Sequence, residues 1–128
     1  MTSNLKAAVL SGAMLTTAFA LGACDSQPPA TGGAALFKKK CATCHSLNSG
    51  KHGVGPSLAG IIGRNAGSTS FTKYKALRDA DFVWTEENLD AWIANPKAFI
   101  KKPTAMTVKV KNKEEREAII EFLGGKED

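Results

Sequence analysis

The chain has 128 residues, 43% hydrophobic, 23% charged and 7% aromatic, which admits one globular domain and a core with few large side chains. Seventeen Lys and Arg against twelve Asp and Glu give a formal charge of +5, or +4 once Lys6 and the rest of residues 1–23 are set aside. The basic residues are dispersed and no set of aromatic side chains accompanies them, which argues against nucleic-acid binding; solubility or an acidic protein partner remains.

Residues 1–6 are polar with one positive charge, and residues 7–23 are apolar, interrupted only by Ser, Thr and Gly. That run is too short and too rich in small residues for a membrane span, and it reads as the apolar core of a secretory signal. It ends in Leu21-Gly22-Ala23-Cys24, which resembles a bacterial lipobox. The expectation is a lipoprotein signal peptide over 1–23, cleaved before a lipidated Cys24. An ordinary cleaved signal leaving a free Cys24 thiol, or an uncleaved anchor helix, are the alternatives. Residues 25–33 carry Pro28-Pro29 and Gly32-Gly33 and read as a tether. Nine residues span about 30 Å fully extended and about 15–18 Å as a flexible coil. Two or three acyl chains would hold such a protein firmly to one membrane face, whereas one binds marginally. Asp25 directly after the lipidated position resembles an inner-membrane retention signal.

The next segment, GAALFKKK over 33–40, predicts a helix with Leu36 and Phe37 on its inner side. It runs into Cys41-Ala42-Thr43-Cys44-His45, the C-x-x-C-H pattern of covalent haem attachment. Each thiol adds across one vinyl group of the porphyrin, two intervening residues match the gap between the vinyls, and the adjacent His45 falls beneath the iron. A thioredoxin-like pair would follow a strand, and none is patterned here. A zinc site would need a second pair, and the only other cysteine is Cys24. A secreted chain also fits haem attachment, which occurs outside the cytoplasm.

The sixth iron ligand follows by elimination. Met1 and Met14 leave with the signal, so Met106 is the only methionine of the mature chain, and His52 is the only other histidine. His52 lies seven residues from His45 and would have to loop round the macrocycle edge. Met106 lies 61 residues away, in a polar stretch with no helical periodicity that would bury it, so Met106 is assigned as the ligand and His52 as structural.

Residues 46–73 are rich in Gly and Ser and predict loop wrapped against something flat. Thr85 predicts an N-cap, followed by Glu86 and Glu87 and the stripe Leu89, Trp92, Ile93; Asn95-Pro96 ends that helix. A short helix is expected over 97–101, and a last one over 112–123, capped by Asn112 and stopped by Gly124-Gly125. No strand pattern and no internal repeat appears, so the fold class is all-α: three main helices plus loops around one haem.

From Gly33 to Leu123 the chain resembles mitochondrial-type (class I) cytochrome c and its bacterial relatives, here in a membrane-anchored lipoprotein form with its domain over 33–128. The resemblance rests on Gly33 and Phe37 before Cys41, on His52-Gly53-Val54-Gly55-Pro56-Ser57-Leu58, on Gly63-Arg64-Asn65-Ala66-Gly67, on Val83-Trp84, and on Asn95-Pro96-Lys97. It implies that Gly33 and Phe37 cross the last helix at Ile119 and Phe122, and that the Pro56 carbonyl accepts from the second nitrogen of His45. It further implies that Arg64 lies near a haem propionate and that the Trp84 indole donates to one. Three departures stand out. The ligand loop reads Lys102-Pro103-Thr104-Ala105-Met106, with Pro103 for a family Gly and Ala105 for a family Lys. Val108 replaces a frequent aromatic, and the spacing before Tyr74 shifts by one residue, which puts its propionate contact in question.

The function implied is single-electron transfer by a monomer between membrane complexes. Their acidic faces would meet Lys38, Lys39, Lys40, Lys51, Lys73, Lys97, Lys101 and Lys102; the partners would be a quinol-oxidising complex and a terminal oxidase or reaction centre. The place is the periplasmic face of the bacterial inner membrane. The alternatives are a haem peroxidase, which would need a labile distal ligand and a distal acid or base, and a redox or gas sensor, which would need a signalling domain.

Overall fold

The computed structural model describes residues 32–125; the signal, Cys24 and most of the tether lie outside them. Four helices occur there: α1 (Gly33–Lys40), α2 (Glu86–Ala94), α3 (Pro96–Ile100) and α4 (Lys113–Leu123). Each begins or ends where a local group permits it. The Thr85 hydroxyl accepts from the Asn88 N–H at 3.1 Å at the start of α2, and the Asn112 side chain accepts from Glu115 N–H at 2.8 Å at the start of α4. Acidic residues occupy both first turns, and Lys38, Lys39 and Lys40 occupy the last turn of α1, as the helix dipole favours.

Asn95 ends α2 and caps α3, its side chain accepting from the Ala98 N–H at 3.3 Å. The short helix therefore starts at Pro96, one residue before the expected position, because a first-turn proline lacks only an N–H that the helix would leave unused. It also ends one residue early: Lys101 leaves it in the left-handed conformation, φ 52°.

α1 packs against α4, and α2 packs against both α3 and α4. At the first contact the Phe37 and Phe122 rings lie 5.5 Å apart, and Lys40 pairs with Glu115 at 2.9 Å. The expected inward residues Leu36, Phe37, Leu89, Trp92, Ile93 and Ile119 are buried, with Ile120 beside them, and Phe122 is half-buried. A second set of rings, Phe82, Trp84, Trp92 and Phe99, meets mostly edge to face with centroids 4.9–6.4 Å apart. The long segment between α1 and α2 carries no helix. It is pinned to the residues before α2 by Gly63 N–H to Trp84 O and Trp84 N–H to Arg64 O, both 2.8 Å, and by an isolated bridge between Asn65 and Val83. Gly67 sits where φ is +66° and where a Cβ would overlap the Leu77 carbonyl, so only glycine fits that crossing.

Candidate functional site

Helix α1 ends at Cys41, whose N–H still bonds to Phe37 O at 2.8 Å. The chain then turns tightly, with the N–H groups of Cys44 and His45 both 3.0 Å from Cys41 O. One turn thus presents two thiols and an imidazole to an apolar cleft of about 450 Å³. Pro56, Arg64, Trp84 and Met106 line that same cleft, so all seven positions singled out as cofactor-binding converge there. Leu58, Ile61, Leu89, Ile93 and Ile119 supply its apolar walls.

The His45 ring is fixed from behind. Its Nδ1–H donates to the Pro56 carbonyl at 2.7 Å, which leaves the Nε2 lone pair free and turned away from that bond. Burial lowers its pKa against the opposing effect of that bond, so the ring is neutral and able to bind a metal. Gly55 packs directly against the ring: a Cβ there would overlap the imidazole, and its N–H donates to Cys44 O at 2.8 Å. Burial also pushes the Cys41 thiol up to about 11, with Lys40 opposing and Cys44 adding slightly. A thiol so placed is protonated at neutral pH.

Met106 is half-buried, and its Sδ accepts from the Trp92 indole N–H at 3.0 Å. Its own N–H bonds to the Thr104 hydroxyl at 3.3 Å. Trp92 was legible only as a member of the α2 stripe; that its polar edge reaches the sulfur was not.

Arg64 donates from Nη1 to Ala59 O at 2.7 Å and from Nη2 to Ser57 O at 2.9 Å, while its Nε is buried without a partner. Burial lowers its pKa, with Tyr74 opposing. A half-buried guanidinium whose buried Nε–H is unused, at the wall of a cleft, is poised for an anion. Two thiols at thioether spacing, a neutral imidazole, a thioether sulfur, apolar walls and this orphaned donor fit a flat iron porphyrin with carboxylate substituents. Trp84 is 4% exposed and lines the cleft wall, its ring 4.9 Å from Phe82 and 5.5 Å from Trp92. The Tyr74 hydroxyl bonds to Thr69 Oγ1 at 2.7 Å.

His52 does not line the cleft. Its Nδ1 accepts from Ser57 N–H at 3.0 Å and its Nε2 lies 2.9 Å from Ser70 Oγ, so it ties two loops together, the structural role expected of it. Ser57, which sequence reasoning passed over, is 2% exposed and joins His52 to Arg64 through its backbone. The lysines divide. Lys40 and Lys73 reach the cleft together with Lys75, which the sequence had not singled out, and Lys40 is partly neutralised by Glu115. Lys97, Lys101 and Lys102 instead surround a separate surface recess beside Thr104. At the mouth of the cleft Val54 is 74% exposed and Val108 39%.

A helical scaffold that wraps loops around such a cleft defines a haem-binding carrier class. The family model for cytochrome c matches residues 30–125. The chain is 37% identical over 108 residues to a cytochrome c2 of Rhodopseudomonas palustris, covering 71% of this chain and 92% of that one. It is 39% identical over 84 residues to cytochrome c2 iso-2 of Magnetospirillum molischianum, covering 65% and 87%. The structure of ferricytochrome c2 from Rhodopseudomonas palustris superposes with a TM-score of 0.66 at 33% identity, over 74% of this chain and 96% of that one.

The chain belongs to the cytochrome c family. It binds one covalent haem c and is a single-electron carrier, not an enzyme. Among the described residues no helix is long and apolar enough to cross a membrane.

Proposed function

We propose that Cys41 and Cys44 hold the haem through thioethers and that His45 and Met106 are its axial ligands. The observation that carries this is the pairing of two aimed donors on one cleft: His45 is fixed by its 2.7 Å bond to Pro56 O, and the Met106 sulfur is held 3.0 Å from the Trp92 N–H. When bound, the haem supplies a one-electron couple. The protein's part is to fill both axial positions, exclude water with apolar walls, and balance propionate charge with the free Arg64 Nε and the Trp84 indole. A methionine opposite histidine favours the reduced state and raises the potential. With both positions filled by protein, neither the peroxidase nor the sensor alternative has the open iron site it needs. The oxidised protein is expected to show a Met–Fe charge-transfer band, and Met106→Ala to abolish it and lower the potential with the haem still attached. Loss of the band in His52→Ala, with its retention in Met106→Ala, would overturn the assignment.

The same reading extends to place and partners. Residues 1–23 are removed, Cys24 is lipidated, and residues 24–32 tether the haem domain to the periplasmic face of the inner membrane. There it carries electrons from a quinol-oxidising complex to a terminal oxidase or reaction centre, meeting acidic faces through Lys40, Lys73 and Lys75 around an apolar rim. What supports this is the Leu21-Gly22-Ala23-Cys24 motif after an apolar run, together with the lysines at the cleft. Mass spectrometry of the mature N-terminus should find diacylglyceryl and acyl groups on Cys24; a free Cys24 thiol on a soluble periplasmic form excludes the anchor.

A further inference from the structure

The segment that carries Met106 leaves α3 at Lys101 and rejoins the fold at Asn112, the cap of α4. Most of it faces solvent: Pro103, Ala105, Thr107, Val108 and Lys109 are exposed. The first fully buried point after Met106 is Val110, 2% exposed, whose N–H bonds to Ile93 O of α2 at 2.8 Å.

Arg116 of α4 closes over that point. Its Nη1 donates to Val110 O at 3.1 Å and to Lys111 O at 2.9 Å, while Nε donates to Asp90 Oδ1 of α2 at 2.7 Å and Nη2 reaches Oδ2 at 3.4 Å. One guanidinium therefore joins the returning end of the ligand loop to the helix that carries Trp92, whose N–H meets the Met106 sulfur. The Arg116 side chain is only 12% exposed, so water competes weakly for these donors. The ion pair Lys113–Glu117 lies within α4 and is exposed; Lys113 also feels the charge of Asp90 but makes no bond to the returning loop.

We propose that Arg116 and Asp90 are positioning residues: they latch the Met106 loop against α2 and so keep the sixth coordination position closed to outside ligands. This rests on the reading of Met106 as the distal ligand. A methionine–iron bond competes with any external base in proportion to how often the loop swings away. Arg116→Lys keeps the charge but cannot bridge a carboxylate and two carbonyls at once, and Asp90→Asn keeps the shape but loses the charge.

The test is imidazole titration of the ferric holoprotein, read by loss of the Met–Fe band, beside a thermal melt of each variant. Arg116→Lys and Asp90→Asn are each expected to raise imidazole affinity about tenfold, as loss of a charge-assisted bond implies. Asp90→Glu should restore part of the difference, and Lys113→Ala should bind as the parent does. Arg116→Lys retains a cation and provides the measurement should Asp90→Asn fail to fold. If the parent shows the band and its Arg116 and Asp90 variants bind imidazole as it does, the latch is wrong. It is equally wrong if affinity merely follows melting temperature across all variants, Lys113→Ala included. A parent without the band overturns the ligand assignment itself, and the latch with it.

Discussion

The two sides of the haem cleft are built on different terms. Around His45 every constraint is backbone or near-backbone: the tight turn from Cys41, the Pro56 carbonyl on Nδ1, and Gly55 packed against the ring. Around Met106 the constraints are side-chain contacts on a mostly exposed loop: the Thr104 hydroxyl, the Trp92 indole, and Arg116 further along. A backbone cradle leaves one geometry, whereas a loop held by side chains can be tuned or opened by changing one of them. On the ligation proposed above, the fixed side would anchor the iron and the adjustable side would set its potential and its closure.

The sharpest way to break this contrast is at Gly55. Gly55→Ala drives a methyl into the imidazole, which is held by the Pro56 carbonyl, from a backbone tied to the Cys44 carbonyl by the Gly55 N–H. A loss of about 3 kcal/mol in thermal or denaturant unfolding is expected, with a disturbed His45 signature in the ferric spectrum. A stable Gly55→Ala protein with unchanged spectrum would show that the His45 side also adjusts.

On the other side Trp92→Phe keeps an aromatic ring and removes the N–H to sulfur. Stability should fall by about 1 kcal/mol. The sulfur, no longer sharing a lone pair with a donor, should favour the ferric state, lowering the potential by some tens of millivolts, the equivalent of that energy for one electron. Direct electrochemistry checks the sign. A rise in potential would mean that the indole holds the sulfur away from its best position rather than polarising it.

What could be read in the sequence divides along the same line. The helices were legible because their starts are local: Thr85, Asn95 and Asn112 bond to N–H groups three residues on. Cys41, Cys44 and His45 form one short motif, and Met106 was preferred over His52 because it lies far enough from His45 to reach the opposite face. The contacts that tune the site join residues far apart in sequence, Trp92 to Met106 across 14 positions and Arg116 to Asp90 across 26, so no local pattern marks them. Trp92 reads in sequence as one more apolar member of a stripe, and only its need for a partner for the buried N–H hints at more. The one-residue shift of α3 has a local cause that was available in sequence, the proline at its first position.

The smallest effect concerns the exposed rim, where the adjustable side meets partners. Ala105 and Val108 stand there where the family often has a lysine and an aromatic, and Val54 adds a third apolar contact, while the lysines at the cleft are Lys40, Lys73 and Lys75. A tether of about 30 Å at full extension would hold such a carrier at high effective concentration near its partners, so attraction through these lysines need not supply all of the encounter rate. A form clipped near Gly32 should then lose turnover with its membrane partners mainly when dilute, and its rate should fall as salt shortens the Debye length below about 10 Å. The anchored form should depend less on salt. Ala105→Lys should leave stability within about 0.5 kcal/mol and speed the clipped form at low salt more than the anchored one. Equal salt dependence of the clipped and anchored forms in the same membranes would show that confinement does not stand in for charge.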